Sequence, residues 1–252
     1  MNIYMEYGIL IAVGFIAGIV NTLAGGGSLF TLPVLIFLGL PPNVANGTNR
    51  IMIVIQSIFG TMGYRSKGVS TYPFNMYLGI AALFGALIGA QIAVAIDEGV
   101  FKRILAILML VIVSLIVLKP KTKAQNLPER ITGKYLGIAL VGFFFLGIYG
   151  GFINAGIGIM IMVFLNQVNR MSLVRTNATK VALVTIYSTA ALLLFAYYGK
   201  VDWVKGFTMA FGTSFGAWWS SRFSVKKGDG FIKIVLLVMV SIMAVKLWFF
   251  DS

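Results

Sequence analysis

The 252-residue chain contains no cysteine and no histidine. Without cysteine there is no disulfide framework, thiol nucleophile or thiolate metal site; without histidine there is no imidazole base or haem ligand. Acidic residues are scarce as well. The seven are Glu6, Asp97, Glu98, Glu129, Asp202, Asp229 and Asp251, and each falls at the end of an apolar segment or in a joint. No carboxylate stands mid-segment, so an Asp/Glu/His proton relay through a membrane cannot be drawn. No metal site, cofactor or enzymatic acid/base constellation is expected either. Charged residues make up 11% of the chain and apolar residues 59%, against about 25% and 45–50% in soluble domains. That balance excludes a soluble globule and a disordered chain. It fits an all-α, polytopic integral membrane protein.

The net charge is +13, from 20 Lys and Arg. No basic run is interleaved with aromatic residues in a polar domain, so no nucleic-acid partner is expected. The lipid bilayer is, and cations then mark cytoplasmic loops. Met1–Tyr7 carries Glu6 and no Lys or Arg, which reads as the start of the first membrane segment rather than a signal peptide.

Ten apolar segments follow, over 7–24, 28–40, 49–63, 74–95, 99–118, 133–154, 157–168, 178–198, 204–221 and 230–250. Crossing about 30 Å of hydrocarbon takes about 20 helical residues. Segments 28–40 and 157–168 are too short, and each follows a glycine cluster. They read as half-helices, each forming a hairpin with the segment before it. Broken backbone at membrane depth is tolerated where protein or a water-filled cavity covers it.

The pattern repeats. Gly18-Ile-Val-Asn21 and Ala24-Gly-Gly-Gly27 return as Gly151-Phe-Ile-Asn154 and Ala155-Gly-Ile-Gly158. Asn46-Gly-Thr48-Asn49 returns as Asn177-Ala-Thr179-Lys180, and Gly99-Val-Phe-Lys102 as Gly230-Phe-Ile-Lys233. The offset is near half the chain. The division expected is a first repeat over 1–118, a cytoplasmic linker over 119–132 and a second repeat over 133–252. An odd number of crossings per half makes the repeats inverted, whether or not the hairpins cross fully. The side holding Arg65, Lys67 and the linker collects 14 of the 20 cations; it is expected to be cytoplasmic, with both termini outside.

Inverted repeats built on discontinuous helices bind substrate at the repeat interface, near the midplane. Gly25, Gly26, Gly27 and Ser28 open one half-helix, Gly156 and Gly158 the other. Their amides and positive dipole ends would suit an anion, although small residues also let helices pack closely. Asn21, Thr22 and Asn154, at the hairpins, are either ligand groups or interhelical glue. In the second motif, Asn46 and Asn177 read as helix N-caps; Asn49, Thr179, Arg50 and Lys180 complete the candidate set. The two cations either snorkel to the interface or act as counter-charges to an anion.

The run Gly18-Ile-Val-Asn-Thr-Leu-Ala-Gly-Gly-Gly-Ser-Leu-Phe-Thr-Leu-Pro33, with Asn46-Gly-Thr-Asn-Arg50, resembles the sulfite/sulfonate exporter (TauE/SafE) family. Gly150-Gly-Phe-Ile-Asn-Ala-Gly-Ile-Gly158, Thr176-Asn-Ala-Thr-Lys180 and Gly199-Lys-Val-Asp-Trp203 extend the resemblance to nearly the whole chain. It implies a bacterial inner-membrane carrier whose partner is a small sulfur-containing anion, such as sulfite, taurine, sulfoacetate or thiosulfate, usually exported. The second copy departs from the first, with Ile157 where Gly26 stands and Phe164 where Pro33 stands. A cation or other small-solute carrier, and a membrane subunit that transports nothing, are the alternatives. Oligomeric state is not legible.

Overall fold

The computed structural model describes residues 3–101, 103–104, 107 and 128–250. Among these, every regular element is helical and there is no strand. The first half contains α1 (Ile3–Leu23), α2 (Ser28–Phe37), α3 (Pro42–Arg65) and α4 (Phe74–Ala95); the second contains α5 (Gly133–Phe152), α6 (Ile157–Gln167), α7 (Leu173–Tyr197) and α8 (Trp203–Phe250). A further helix opens at residue 98. The segment expected over 99–118 and the linker over 119–132 otherwise lie outside the described residues as far as 127.

From Tyr4 onward α1 is long and apolar enough to cross a membrane, as are α4, α5 and α7. α3 has the length, 24 residues or about 36 Å, but its opening turns carry Asn43, Asn46, Thr48, Asn49 and Arg50. All five are buried, so protein rather than lipid surrounds them. α2 and α6 have 10 and 11 residues, about half a bilayer each, as their glycine-led sequences suggest. The segments expected over 204–221 and 230–250 are two arms of α8, which breaks at Gly228 (φ 73°, ψ −171°). That backbone suits only glycine.

Two helices begin five to seven residues earlier than their apolar runs. Pro42 opens α3, where a missing N–H costs nothing. Ser172 caps α7 by accepting from the Arg175 amide at 3.3 Å. The Asp229 carboxylate takes the next two amides, Leu173 and Val174, at 2.9 Å each. Asn46 and Asn177 therefore sit inside their helices and are not N-caps, contrary to the sequence reading.

The packing is reciprocal between the halves. α1 lies along α8 and α4 along α5; α3 also meets α8, and α4 meets α7. α3 and α7 cross each other at the centre, with α2 against α3 and α6 against α7. Two glycine-lined seams bring the outer pairs together. Gly14 and Gly18 face Met209 and Thr213, while Gly212 and Gly216 face Ile11 and Phe15. On the other side Gly85 and Gly89 face Phe144 and Ile148, and Gly147 and Gly151 face Ala82 and Ala86. A Cβ at any of these eight would run into the facing carbonyl oxygen. Small residues four apart allow this backbone approach in a bilayer, where no hydrophobic force drives helices together.

Candidate functional site

The two hairpin turns meet in the middle of the molecule. Gly25 (φ 80°) and Gly156 (φ 71°) take the left-handed conformation that reverses the chain. Gly25 and Gly158 lie backbone to backbone, and a Cβ on either would collide with the other. Gly27 packs instead on α1, where its Cβ would fall 2.6 Å from the Ala17 carbonyl oxygen and the Asn21 Cβ. Close packing thus accounts for Gly25, Gly27 and Gly158, with Gly26 buried in the turn between the first two.

The second motif clamps each half to the other. On α3, Asn46 Nδ2 donates to the Phe152 carbonyl at 2.8 Å, and the Arg50 guanidinium donates to the Gly150 and Gly151 carbonyls. These carbonyls lie in the last turn of α5. On α7, Asn177 Nδ2 donates to the Leu23 carbonyl at 2.9 Å. The Lys180 ammonium donates to the Asn21 and Thr22 carbonyls at 3.0 and 2.9 Å, in the last turn of α1. Each cation is also held by the asparagine of its own helix, Lys180 at 2.7 Å from Asn177 Oδ1 and Arg50 at 3.4 Å from Asn46 Oδ1. The threonines add a third brace: Thr48 Oγ1 accepts from the Asp202 amide at 2.8 Å, and the Thr71 and Thr179 hydroxyls are hydrogen-bonded to each other at 2.9 Å.

A helix ends with unpaired carbonyls and a partial negative charge. A buried cation carried by the neighbouring half satisfies both needs. Arg50 and Lys180 are 0% and 2% exposed, so neither snorkels. Sequence alignment pairs Lys180 with Asn49, yet in space Lys180 performs the part of Arg50. Its shorter, unforked side chain reaches from three residues beyond its asparagine instead of four.

A polar seam runs beside the clamps on the first half's side. Tyr187 OH donates to Asn154 Oδ1 at 2.9 Å, and Asn154 Nδ2 donates to Ser28 Oγ at 3.5 Å. One turn along α2, Thr31 Oγ1 donates to Asn49 Oδ1 at 2.7 Å. Asn154 is 3% exposed; Ser28, Thr31, Asn49 and Tyr187 are all at 0%. Two N–H donors among these buried groups find no acceptor, Asn49 Nδ2 and Arg50 Nε. The Thr22 and Ser188 hydroxyls are likewise unpartnered. A stranded buried donor costs about 1–3 kcal/mol, and in native proteins such groups call for an explanation.

Of the candidate residues, Ser28, Asn49, Arg50 and Asn154 come together along this seam, joined to Thr31 and Tyr187. Asn21, Thr22, Asn177 and Lys180 gather around the end of α1 instead, and Thr179 is held by Thr71. Gly25, Gly26, Gly27, Gly156 and Gly158 form the joint between the two groups. Thr31 and Tyr187 were missed because each falls inside a run read as apolar, 28–40 and 178–198, outside the repeated motifs. The spacing of Thr31 three residues after Ser28, on one helix face, was the available signal. No group of His, Cys, Asp and Glu among the described residues could hold a metal ion.

Comparison with known proteins agrees with this architecture. The chain is 31% identical over 246 residues to probable membrane transporter protein YfcA of Escherichia coli, covering 97% of this chain and 90% of that one. It is 28% identical over 239 residues to a probable membrane transporter protein of Haemophilus influenzae, covering 95% and 93%. With the probable membrane transporter protein YunE of Bacillus subtilis it shares 24% identity over 264 residues, 93% and 96% of the two chains. No solved structure matches significantly. The family described as Sulfite exporter TauE/SafE matches residues 10–247, so the chain, a multi-pass membrane protein, belongs to that family of membrane transporters.

Proposed function

We propose that this transporter exports small sulfur-containing anions, with sulfite, taurine, sulfoacetate and thiosulfate as the candidate set, across a bacterial inner membrane. The ligand sits where the seam meets the hairpin joint, against Ser28, Asn49 and Asn154. The observation that carries this reading is the character of the unsatisfied groups beside the clamps. Asn49 Nδ2 and Arg50 Nε are both donors, and an anion's oxygens are the acceptors they lack. Arg50 and Lys180 add two buried cations, and no Asp or Glu is buried among the described residues. The surroundings therefore favour negative charge even though both cations are engaged by carbonyls.

In this reading residues 1–118 and 133–252 are inverted repeats joined by a cytoplasmic linker, with both termini outside. The exchange of roles between α1–α8 and α4–α5, and between the two clamps, supports it. Export needs no second ion. With the interior negative, moving one negative charge outward gains about 2.3 kcal/mol per 100 mV.

The test is flux in proteoliposomes loaded in turn with sulfite, taurine, sulfoacetate and thiosulfate, under a potassium–valinomycin potential. Inside-negative potential is expected to accelerate efflux of at least one of the net anions sulfite, sulfoacetate and thiosulfate, and reversal to slow it, while taurine, a zwitterion at neutral pH, is indifferent to the potential. Flux that ignores the potential and requires a sodium or proton gradient would sink the uncoupled reading. Absence of flux for all four would sink the substrate class.

A further inference from the structure

The halves carry equivalent clamps, but the surfaces outside the clamps differ. At the end of α3 a cleft of about 230 Å³ opens between α3, α4 and α7. Its lining includes Tyr64, Arg65, Ser70, Thr71, Ala178 and Ala182. The positions related to these by the 131-residue offset lie at the opposite end of the molecule, and there the space is filled. Phe195 stands for Tyr64, Gly47 for Ala178, Ile51 for Ala182 and Gly206 for Asn75. A Cβ on Gly47 would strike the Lys200 carbonyl oxygen, and one on Gly206 would strike Ile51. Phe195 and Ile51 are 0% and 1% exposed, and Phe195 lies under the Arg50 guanidinium at 5.6 Å. One end is sealed over its clamp, while the other carries a cleft whose lining includes Ala178, next to Asn177 of its own clamp.

We infer that this cleft is the vestibule where a small anion docks before reaching the membrane core, with Arg65 as counter-charge, the Ser70 hydroxyl as donor and Thr71 as floor. The inference rests on reading the chain as an anion carrier whose Arg65 side is cytoplasmic. The volume of about 230 Å³ is many times the roughly 10–15 Å³ that one water centre needs. That leaves room for a small oxyanion with part of its hydration. Arg65 is exposed and has no ion pair among the described residues. Just below the floor, Thr179 adjoins Lys180, so an anion leaving the cleft passes from a surface cation towards a buried one.

The chain contains no cysteine, so each engineered thiol is the only one present. Ala182→Cys and Thr61→Cys place it in the cleft, Ile51→Cys in the sealed counterpart. Lys67→Cys and Glu98→Cys report the two membrane sides in oriented vesicles. The probes are the anionic sulfonatoethyl and the cationic trimethylammonioethyl methanethiosulfonates. The cleft cysteines should react from the side that labels Lys67→Cys, faster with the anionic reagent, and sulfoacetate should slow them at least fivefold. Arg65→Gln should reduce the anionic-to-cationic rate ratio about tenfold, as one charge a few ångströms away does in a half-shielded site. Ile51→Cys should stay unreactive from both sides. Equal reactivity of Ile51→Cys and Ala182→Cys, or cleft reaction without charge preference or protection, would overturn the inference. Unchanged anion flux in Arg65→Gln would remove the vestibule and leave the carrier standing. Sulfoacetate protection in a protein that moves none of the four anions would do the reverse.

Discussion

The two hairpins share a backbone plan and differ in chemistry. In α1–α2 the half-helix presents Ser28 and Thr31 to the polar seam. In α5–α6 the corresponding positions are Ile159 and Met162, and the Met162 sulfur lies 3.8 Å from the Lys180 ammonium. Pro33 in the first gives way to Phe164 in the second, whose ring packs edge-on against Phe143 at 5.5 Å and fills the space above Gly142. The second hairpin fills space with apolar side chains where the first carries hydroxyls engaged with the other half and with α3. Repetition therefore accounts for the shared scaffold, and departures from repetition for the difference in polarity between the two hairpins.

The strongest way to break this comparison is to strike what the halves have in common. Lys180→Met strands the Thr22 carbonyl and Asn177 Oδ1 and leaves the Asn21 carbonyl with the Gly25 amide alone; Arg50→Met strands the Gly150 and Gly151 carbonyls. At about 1–3 kcal/mol for each buried group left unpaired, each variant should lose on the order of 3 kcal/mol or more. Thermal unfolding in detergent should drop comparably for the two. A large loss in one and none in the other would show that the clamps are not equivalent.

A smaller effect separates the hairpins themselves. Ser28→Ala and Thr31→Val should each raise the half-saturating substrate concentration about tenfold, the worth of one hydrogen bond to a charged partner. Met162→Leu, at the position matching Thr31, should stay within twofold. Equal sensitivity at the two positions would mean that both hairpins bind ligand. The finest distinction is at Asn49. Asn49→Leu removes an unsatisfied donor together with the acceptor of Thr31 Oγ1, which falls back on the Gly27 carbonyl, so melting temperature should change little while affinity falls. Loss of both together would mark Asn49 as a structural residue.

Much of this was legible in the chain. Broken segments after Gly25–Gly27 and Gly156–Gly158 announced the half-helices, and the recurrence of Asn-x-Thr announced a shared element. What spacing cannot display is the partner. The acceptors for Arg50 lie 100 and 101 residues away and that for Asn177 lies 154 away, so a local N-cap was the natural reading of Asn46 and Asn177. The helix starts were hidden for a related reason, since Pro42 and Ser172 set them inside polar sequence that looked like loop. The four glycine pairs of the seams were present in the sequence, but only the fold shows which pairs face each other.

The clamps also impose an order on biogenesis. Arg50 emerges from the ribosome about a hundred residues before Gly150, roughly 5–20 s at about 5–20 residues per second. For that interval a guanidinium in hydrocarbon would stand without its acceptors, at about 2.5–3.5 kcal/mol on insertion scales. α3 therefore has reason to linger at the translocon or the membrane surface until α5 arrives. Neither half is a finished object on its own; each stays unsealed until its sibling supplies the missing end.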